Sequence, residues 1–201
     1  MTRTRLPLVP MLLALAAVVA GTGAYAAWLG ATARPAFHGT TYDPVAPAPD
    51  FRLVDPDGRA ATLASYRGRP VLVFFGYTRC TDYCPLTLDR LSRAVRELGP
   101  RAGGARILLV TVDPANDTPE VLNRYVARFG GRVRALTGDT AALAAAWRAY
   151  SVHVAPGHHP PALAHSGVVY GIDRRGDLRV VISDGATFEE TKDDVRALAR
   201  L

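Results

Sequence analysis

One stretch of the sequence constrains the fold more than any other: an apolar run followed closely by the protein's two cysteines. Val71 to Phe75 are all apolar, which is typical of a strand buried on both faces of a parallel or mixed sheet. Gly76 ends the run, Cys80 and Cys84 follow, and helical periodicity begins at Leu86. The sequence therefore predicts two thiols at a junction between a buried strand and a helix.

This position favours thiols with a chemical role over inert ones. A helix N-terminus presents unpaired N–H groups and a partial positive charge, and both stabilise a thiolate. If the helix starts near the cysteines, their spacing places both sulfurs on one side of its first turn. A disulfide between Cys80 and Cys84 would close so short a loop that it would constrain the unfolded chain little. Two thiolates at such a turn suit Cu(I), zinc or a redox disulfide.

The rest of the chain alternates between strand and helix patterns. Helices between the middle strands imply crossover connections and parallel pairing, and a turn at 174–177 predicts a closing antiparallel hairpin. We therefore predict an α/β fold, a thioredoxin-like mixed sheet flanked by helices. A further buried strand is predicted at 105–112, and other strands at 51–55, 61–64, 133–136, 166–173 and 178–183. Helix starts are predicted at 117–120, 139–140 and 187–190.

The N-terminal segment is predicted to direct the domain out of the cytoplasm. Residues 6–31 carry no charge and are rich in Leu, Ala and Val, whereas Arg3 and Arg5 precede them. The run is long enough to cross a bilayer, and the alternative is a cleaved signal peptide. The predicted domains are an anchor or signal at 1–33, a proline-rich tether at 34–50 and a thioredoxin-like domain at 51–201. The expected location is membrane-anchored, with the domain on the extracytoplasmic side, periplasmic or outer.

The net charge of +6 does not indicate nucleic-acid binding. Its arginines are scattered, whereas a nucleic-acid interface needs them clustered. We expect no nucleic-acid partner.

A metal site of useful affinity needs a third ligand, and His165 is the leading candidate. It precedes the last predicted hairpin, and in a thioredoxin sheet that segment passes beside the thiol turn. The alternative is a histidine bonded to a backbone carbonyl at a strand edge. His158 and His159 are interpreted as solvated loop residues, and the alternative is that they make a transient contact with the metal. His153 is expected to pack in a half-buried position, and His38 is expected to be solvated.

Three aspartates lie near the thiols in sequence; the role of Asp82 is left open, and the other two have structural interpretations. Asp82 lies between the cysteines, where its charge alone raises a thiol pKa but is compensated beside a bound cation. It is a candidate to support a metal from outside the ligand set, and the alternative is a helix-start carboxylate. Asp113 and Asp117 are interpreted as turn and cap residues.

Two motifs together resemble the Sco/SenC family. They are Gly76-Tyr-Thr-Arg-Cys-Thr-Asp-Tyr-Cys-Pro85 and Val112-Asp-Pro-Ala-Asn-Asp-Thr118, supported by the strand pair after His165 and the apolar N-terminus. The family comprises thioredoxin-fold copper-binding proteins implicated in assembling the CuA centre of cytochrome c oxidase. The resemblance implies that Cys80, Cys84 and His165 bind copper, as Cu(I), Cu(II) or both. It also implies two partners, the oxidase subunit that carries CuA and, through the anchor, the membrane.

The chain departs from the family pattern at two positions. Thr81 stands where members commonly have proline, and Ala164 where they often have aspartate. A metal-bound histidine usually donates its other N–H to an acceptor, so the acceptor for His165 must come from elsewhere than residue 164.

The leading functional prediction is a copper metallochaperone, which is not an enzyme. The alternative is a thiol–disulfide oxidoreductase in which Cys80 and Cys84 form a redox disulfide and reduce exported or oxidase cysteines. It needs no histidine, although such enzymes more often have CxxC. Peroxide reduction at a helix-start cysteine ranks third, because His165 has no place in it.

Overall fold

The computed structural model describes residues 8–32, 36–156, 163–164 and 167–201. They belong to two compact units, Met1–Pro35 and Ala36–Leu201. The first unit holds helix α1 (Leu8–Thr32), and its side chains from Met11 to Tyr25 are exposed. Within the described residues, no helix is both long enough and apolar enough to span a bilayer. The predicted anchor or signal segment at 1–33 stays a prediction.

The second unit is built on a six-stranded mixed sheet. Its strands, together with two small hairpins, are β1 (Thr40–Pro47), β2 (Arg52–Val54), β3 (Ala60–Thr62), β4 (Val71–Gly76), β5 (Arg106–Thr111), β6 (Val133–Leu136), β7 (Ala155–Pro156), β8 (Leu163–Ala164), β9 (Val169–Ile172) and β10 (Asp177–Ile182). The sheet order is β1-β10-β9-β4-β5-β6. Strands β4, β5 and β6 are parallel, whereas β9 is antiparallel to β4, β10 to β9 and β1 to β10. The predicted mixed sheet is confirmed.

Four helices of the second unit follow the predicted pattern. They are α2 (Tyr83–Leu98), α3 (Pro119–Ala127), α4 (Thr140–Ala149) and α5 (Phe188–Leu198). Asp139 caps α4 by accepting from the N–H of Ala142, and Thr187 with Glu190 forms the capping box of α5. Helix α2 connects β4 to β5 and α3 connects β5 to β6, which gives the crossovers that parallel pairing requires.

The middle of the sheet supplies the core. Every residue of β4 is buried, as the apolar run predicts, and β5 pairs with it over its full length. Burying each large apolar side chain contributes about 1.5–3 kcal/mol, so β4 and β5 are strongly held in the sheet. The cysteine junction therefore begins from a rigid strand end.

The segment expected to be a tether is extended, but it joins the sheet. Residues 40–47 form β1, which pairs with β10 and closes that edge. Proline is tolerated in edge strands and at bulges: Pro44 falls in the irregular stretch between Thr41 and Ala46, and Pro47 pairs with Asp177 at the edge. The predicted strands near residues 51–64 instead form a separate two-stranded hairpin, β2–β3.

Candidate metal and thiol site

Three connections meet at one edge of the sheet because of its topology. Strands β4 and β5 are parallel, so the loops that follow both leave from the same edge. Strand β9 is antiparallel to β4, and Val169 at its start pairs with Phe74 near the end of β4. The cysteine loop, the loop after β5 and the segment before β9 are therefore neighbours.

The two cysteines differ in burial. Helix α2 begins at Tyr83, so Cys84 lies in its first turn and Cys80 precedes it. Cys84 is fully buried and Cys80 half-buried, and both are in the reduced form. The backbone N–H of Cys84 donates to the sulfur of Cys80 at 3.3 Å. The predicted position at a strand–helix junction is correct, with only Cys80 facing outward.

The environment makes Cys80 the thiolate and Cys84 the thiol of this pair. A hydrogen bond from the Cys84 thiol, assisted by the backbone N–H groups of Cys84, Asp82 and Tyr83, lowers the pKa of Cys80 to about 5. The same hydrogen bond, together with burial, raises the pKa of Cys84 well above its ordinary range. At neutral pH, Cys80 is therefore a half-buried thiolate, able to act as a nucleophile or soft metal ligand, with a proton donor beside it.

A glycine is required at position 76 because the buried sulfur of Cys84 packs against the backbone there. A Cβ at this position would lie 3.0 Å from the Cys84 sulfur and 2.8 Å from the ring of Phe74. The glycine at the end of β4 therefore lets Cys84 approach the backbone of the strand.

Asp117 holds the start of the cysteine loop. Its carboxylate accepts from the N–H and hydroxyl of Thr78 at 3.1 and 2.5 Å, and from the hydroxyl of Thr111 at 2.6 Å. The residue is almost fully buried. The interpretation of Asp117 as a helix cap is wrong: Thr118 caps α3, because its side chain accepts from the N–H of Val121.

Asp113 holds the next residue of the same loop. Its carboxylate accepts from the guanidinium of Arg79 at 2.8 Å and from the amide of Asn116 at 2.8 Å. Asp113 is buried, so its role goes beyond that of a turn residue. Residues 78 and 79, directly before Cys80, are thus both fixed by carboxylates from the loop after β5.

Tyr83 links the cysteine loop to the segment before β9. Its hydroxyl donates to the carbonyl of Gly167. A Cβ on Gly167 would lie 2.6 Å from the Tyr83 ring, so only glycine permits this approach. A residue between the two cysteines is therefore in contact with the chain two residues beyond His165.

The other predicted site residues have mixed outcomes. Asp82 precedes α2 at its N-cap position, is exposed, and makes no side-chain capping bond. His153 is exposed, which contradicts the expected packing role. His38 is half-exposed beside Asp193, with 3.7 Å between imidazole and carboxylate. His158, His159 and His165 lie outside the described residues.

Within the residues that can be described, no group of three or more His, Cys, Asp or Glu side chains forms a metal cluster. Cys80 and Cys84 supply two soft ligands, and a third must come from elsewhere. Sequence reasoning did not predict the roles of Thr78, Asp117 and Tyr83. The motif at 112–118 carried a signal for the aspartates, since it combines two of them directly after a buried strand.

Fold and site together define a thioredoxin-like protein with a CxxxC dithiol where its central strand turns into a helix. The chain belongs to the SCO1/SenC family, whose sequence model matches residues 40–200. The family prediction is thus confirmed.

The relatives and solved structures agree with this assignment. The chain is 35% identical over 153 residues to the mitochondrial SCO2 homologues of Bos taurus and Homo sapiens, which covers 73% of this chain and 58% of each relative. Bradyrhizobium japonicum ScoI, solved with copper bound, is 33% identical with a TM-score of 0.66, covering 75% of this chain and 98% of that one. Copper-bound yeast Sco1 is 27% identical with a TM-score of 0.67, covering 75% and 86%.

Proposed function

We propose that this protein is a copper metallochaperone that binds copper through Cys80, Cys84 and His165. Copper is its cargo, delivered to the CuA-bearing subunit of cytochrome c oxidase. Two of the solved relatives were obtained with copper bound, which supports the choice of metal. A thiolate, a neighbouring thiol and an imidazole form a soft ligand set that suits Cu(I) and allows ligands to exchange one at a time.

One observation carries the proposal: the contact between Tyr83 and Gly167. His165 precedes Gly167 by two residues, a chain length that spans at most about 7 Å. The antiparallel pairing of β9 with β4 brings the same segment towards the carboxyl end of β4. This contact supports His165 as the third ligand.

The test is a Cu(I) titration of the reduced full chain against a competing chelator. Losing a residue that hydrogen-bonds to a metal ligand typically lowers metal affinity about 10–100-fold. His165→Ala removes a ligand itself, so we expect it to lower Cu(I) affinity more than about 100-fold. Exposed His153 is a matched control, and His153→Ala should bind as tightly as the parent. Equal affinity of the parent and His165→Ala would refute the proposed ligand set.

A second function, thiol–disulfide exchange, is favoured by the polarised thiol pair. The Cys80 thiolate attacks a partner disulfide and releases one partner thiolate. Cys84 then loses its proton and attacks the mixed disulfide, which leaves a Cys80–Cys84 disulfide and a reduced partner. This chemistry does not use the histidine, so exchange rates that survive His165→Ala while Cu(I) affinity is lost would assign it to the dithiol alone.

We propose that the domain works outside the cytoplasm, next to the membrane that holds the oxidase. The described side chains of α1 are mainly apolar and exposed, and an exposed apolar surface of this kind supports contact with a membrane. Fractionation of cells that produce the full chain or a chain lacking residues 1–35 tests this. The proposal requires that only the full chain reaches the membrane fraction.

A further inference from the structure

We propose that a basic groove beside the dithiol docks an acidic segment of the protein that exchanges copper or a disulfide with Cys80. The groove is lined by Thr78, Val121, Arg124, Tyr125 and Arg128 and has a volume of about 350 Å³. Thr78 is two residues from Cys80, so an occupant of the groove lies next to the reactive sulfur. This inference rests on the proposed function, because it names the chemistry of the partner.

The arginines of the groove lack the internal partner that Arg79 has. Arg79 is paired with Asp113, whereas neither Arg124 nor Arg128 makes an ion pair with another described residue. Both are exposed, and they lie four residues apart: Arg124 is in α3 and Arg128 directly follows it as the C-cap. Their side chains therefore share one face of the helix. The exposed acid nearest in sequence is Glu120, one helical turn before Arg124, and it accepts from the Thr118 hydroxyl. Its own backbone N–H lowers its pKa most, and the charge of Arg124 contributes to lowering that pKa without forming an ion pair.

One of the two guanidinium groups is already ordered. Arg128 lies over the ring of Tyr125 at 4.4 Å, and its Nε donates to the carbonyl of Tyr125 at 3.3 Å. Stacking leaves the remaining N–H groups available for a carboxylate in bidentate geometry. Because the side chain is ordered before binding, less conformational entropy is lost when the ligand arrives.

The floor of the groove is formed by Tyr125, which is 6% exposed and lies beneath the guanidinium of Arg128. Its hydroxyl is buried and has no hydrogen-bond partner among the described residues, so it is not the group that a ligand meets. The two exposed guanidinium groups, Arg124 and Arg128, fit a carboxylate.

We assign the groove to a protein segment rather than a small anion because an exposed apolar side chain also lies close to the dithiol. Leu86, in the first turn of α2 and two residues beyond Cys84, is 66% exposed. A protein partner can contact both the arginines and this leucine, whereas a small anion contacts the arginines alone. An acidic segment in the groove and an apolar contact at Leu86 would place the partner's sulfur over Cys80.

The test measures how fast Cys80 reacts with charged model substrates. Each is a synthetic peptide with one cysteine, activated as a mixed disulfide with thionitrobenzoate and flanked by Asp and Glu or by Asn and Gln. The Cys80 thiolate forms a disulfide with the peptide sulfur, and thionitrobenzoate leaves as a coloured thiolate with the bonding electron pair. With the full chain at low salt, we expect the acidic peptide to react roughly tenfold faster, a preference that salt removes.

Matched variants separate the groove from overall charge. Arg124→Gln with Arg128→Gln should abolish the preference and leave the rate of the neutral peptide unchanged. Arg96→Gln with Arg101→Gln removes the same charge near the far end of α2, where both arginines are exposed, and should retain the preference. Equal rates of both peptides with the parent, or equal loss in both double variants, would overturn the proposal.

A charge reversal and a metal titration complete the design. Arg124→Glu with Arg128→Glu should make a lysine-flanked peptide react faster than the acidic one, and an unchanged order would contradict the groove. Cu(I) affinity should be unaffected in all these variants. Failure of the docking site therefore appears only in the peptide rates, whereas failure of the copper site appears in the titration of His165→Ala.

Discussion

The two loops that leave the neighbouring strands β4 and β5 differ in where their polar groups are used. The loop after β4 carries the reactive sulfur of Cys80 and exposes Thr81 and Asp82. The loop after β5 carries two buried carboxylates, Asp113 and Asp117, which bind the first loop. The comparison teaches that the reactive loop is held in place mainly by its neighbour. The sulfur of Cys80 stays accessible because the carboxylates that hold the loop come from the neighbouring loop and bind Thr78 and Arg79.

The largest expected effect separates the two sulfurs. Because the pKa of Cys80 is lowered to about 5, its thiolate predominates above that pH and its thiol below. Alkylation by iodoacetamide should therefore be nearly constant from pH 6 to 8 and fall about tenfold between pH 7 and pH 4, since only the thiolate reacts. Buried Cys84 should stay unmodified. The measurement is the mass of the modified protein against time.

Two variants at Cys84 test the cause of this low pKa. Cys84→Ala removes the donor that lowers the pKa of Cys80 most, so the midpoint should rise. Cys84→Ser keeps a hydroxyl donor at the same place and should shift the midpoint less. A parent midpoint near the usual cysteine value of about 8.5 would contradict the assigned polarity of the pair.

The next expected effect concerns Asp117, the buried carboxylate that holds the start of the cysteine loop. Asp117→Ala leaves the hydroxyls of Thr78 and Thr111 without their acceptor, which should lower the free energy of unfolding by about 3 kcal/mol. Urea denaturation measures this change. Asp139→Ala is the matched control, since it removes a carboxylate that only caps a helix, at a cost of about 1 kcal/mol. Equal costs would mean that Asp117 acts as an ordinary cap after all.

The smallest expected effect is on stability, at the contact between Tyr83 and Gly167 in the segment before β9. Gly167→Ala places a methyl group against the Tyr83 ring and should cost about 1–3 kcal/mol by overpacking. In a Tyr83→Ala background the same substitution should cost little, because the ring is gone. Gly185→Ala, where a Cβ meets nothing within 4 Å, is the neutral control. A cost that persists without the ring would show that Tyr83 is not what limits residue 167.

Sequence reasoning located the dithiol correctly but assigned its support incorrectly. The apolar run at 71–75 and the periodicity after Leu86 are local patterns, so they predict the strand, the junction and the helix directly. Asp117 follows a strand and precedes Thr-Pro-Glu, which is also the pattern of a helix start. Nothing local distinguishes a cap from a carboxylate that turns inward to bind Thr78, 39 residues earlier.

The sequence by itself determined that two thiols stand where a buried strand becomes a helix, because hydrophobic periodicity and glycine placement act over a few residues. Tertiary structure alone decided which carboxylates hold the cysteine loop. It also decided that Gly167 lies against Tyr83, 84 residues away. Those contacts join distant segments, and they exist only once parallel and antiparallel pairing has brought three strand ends to one edge of the sheet.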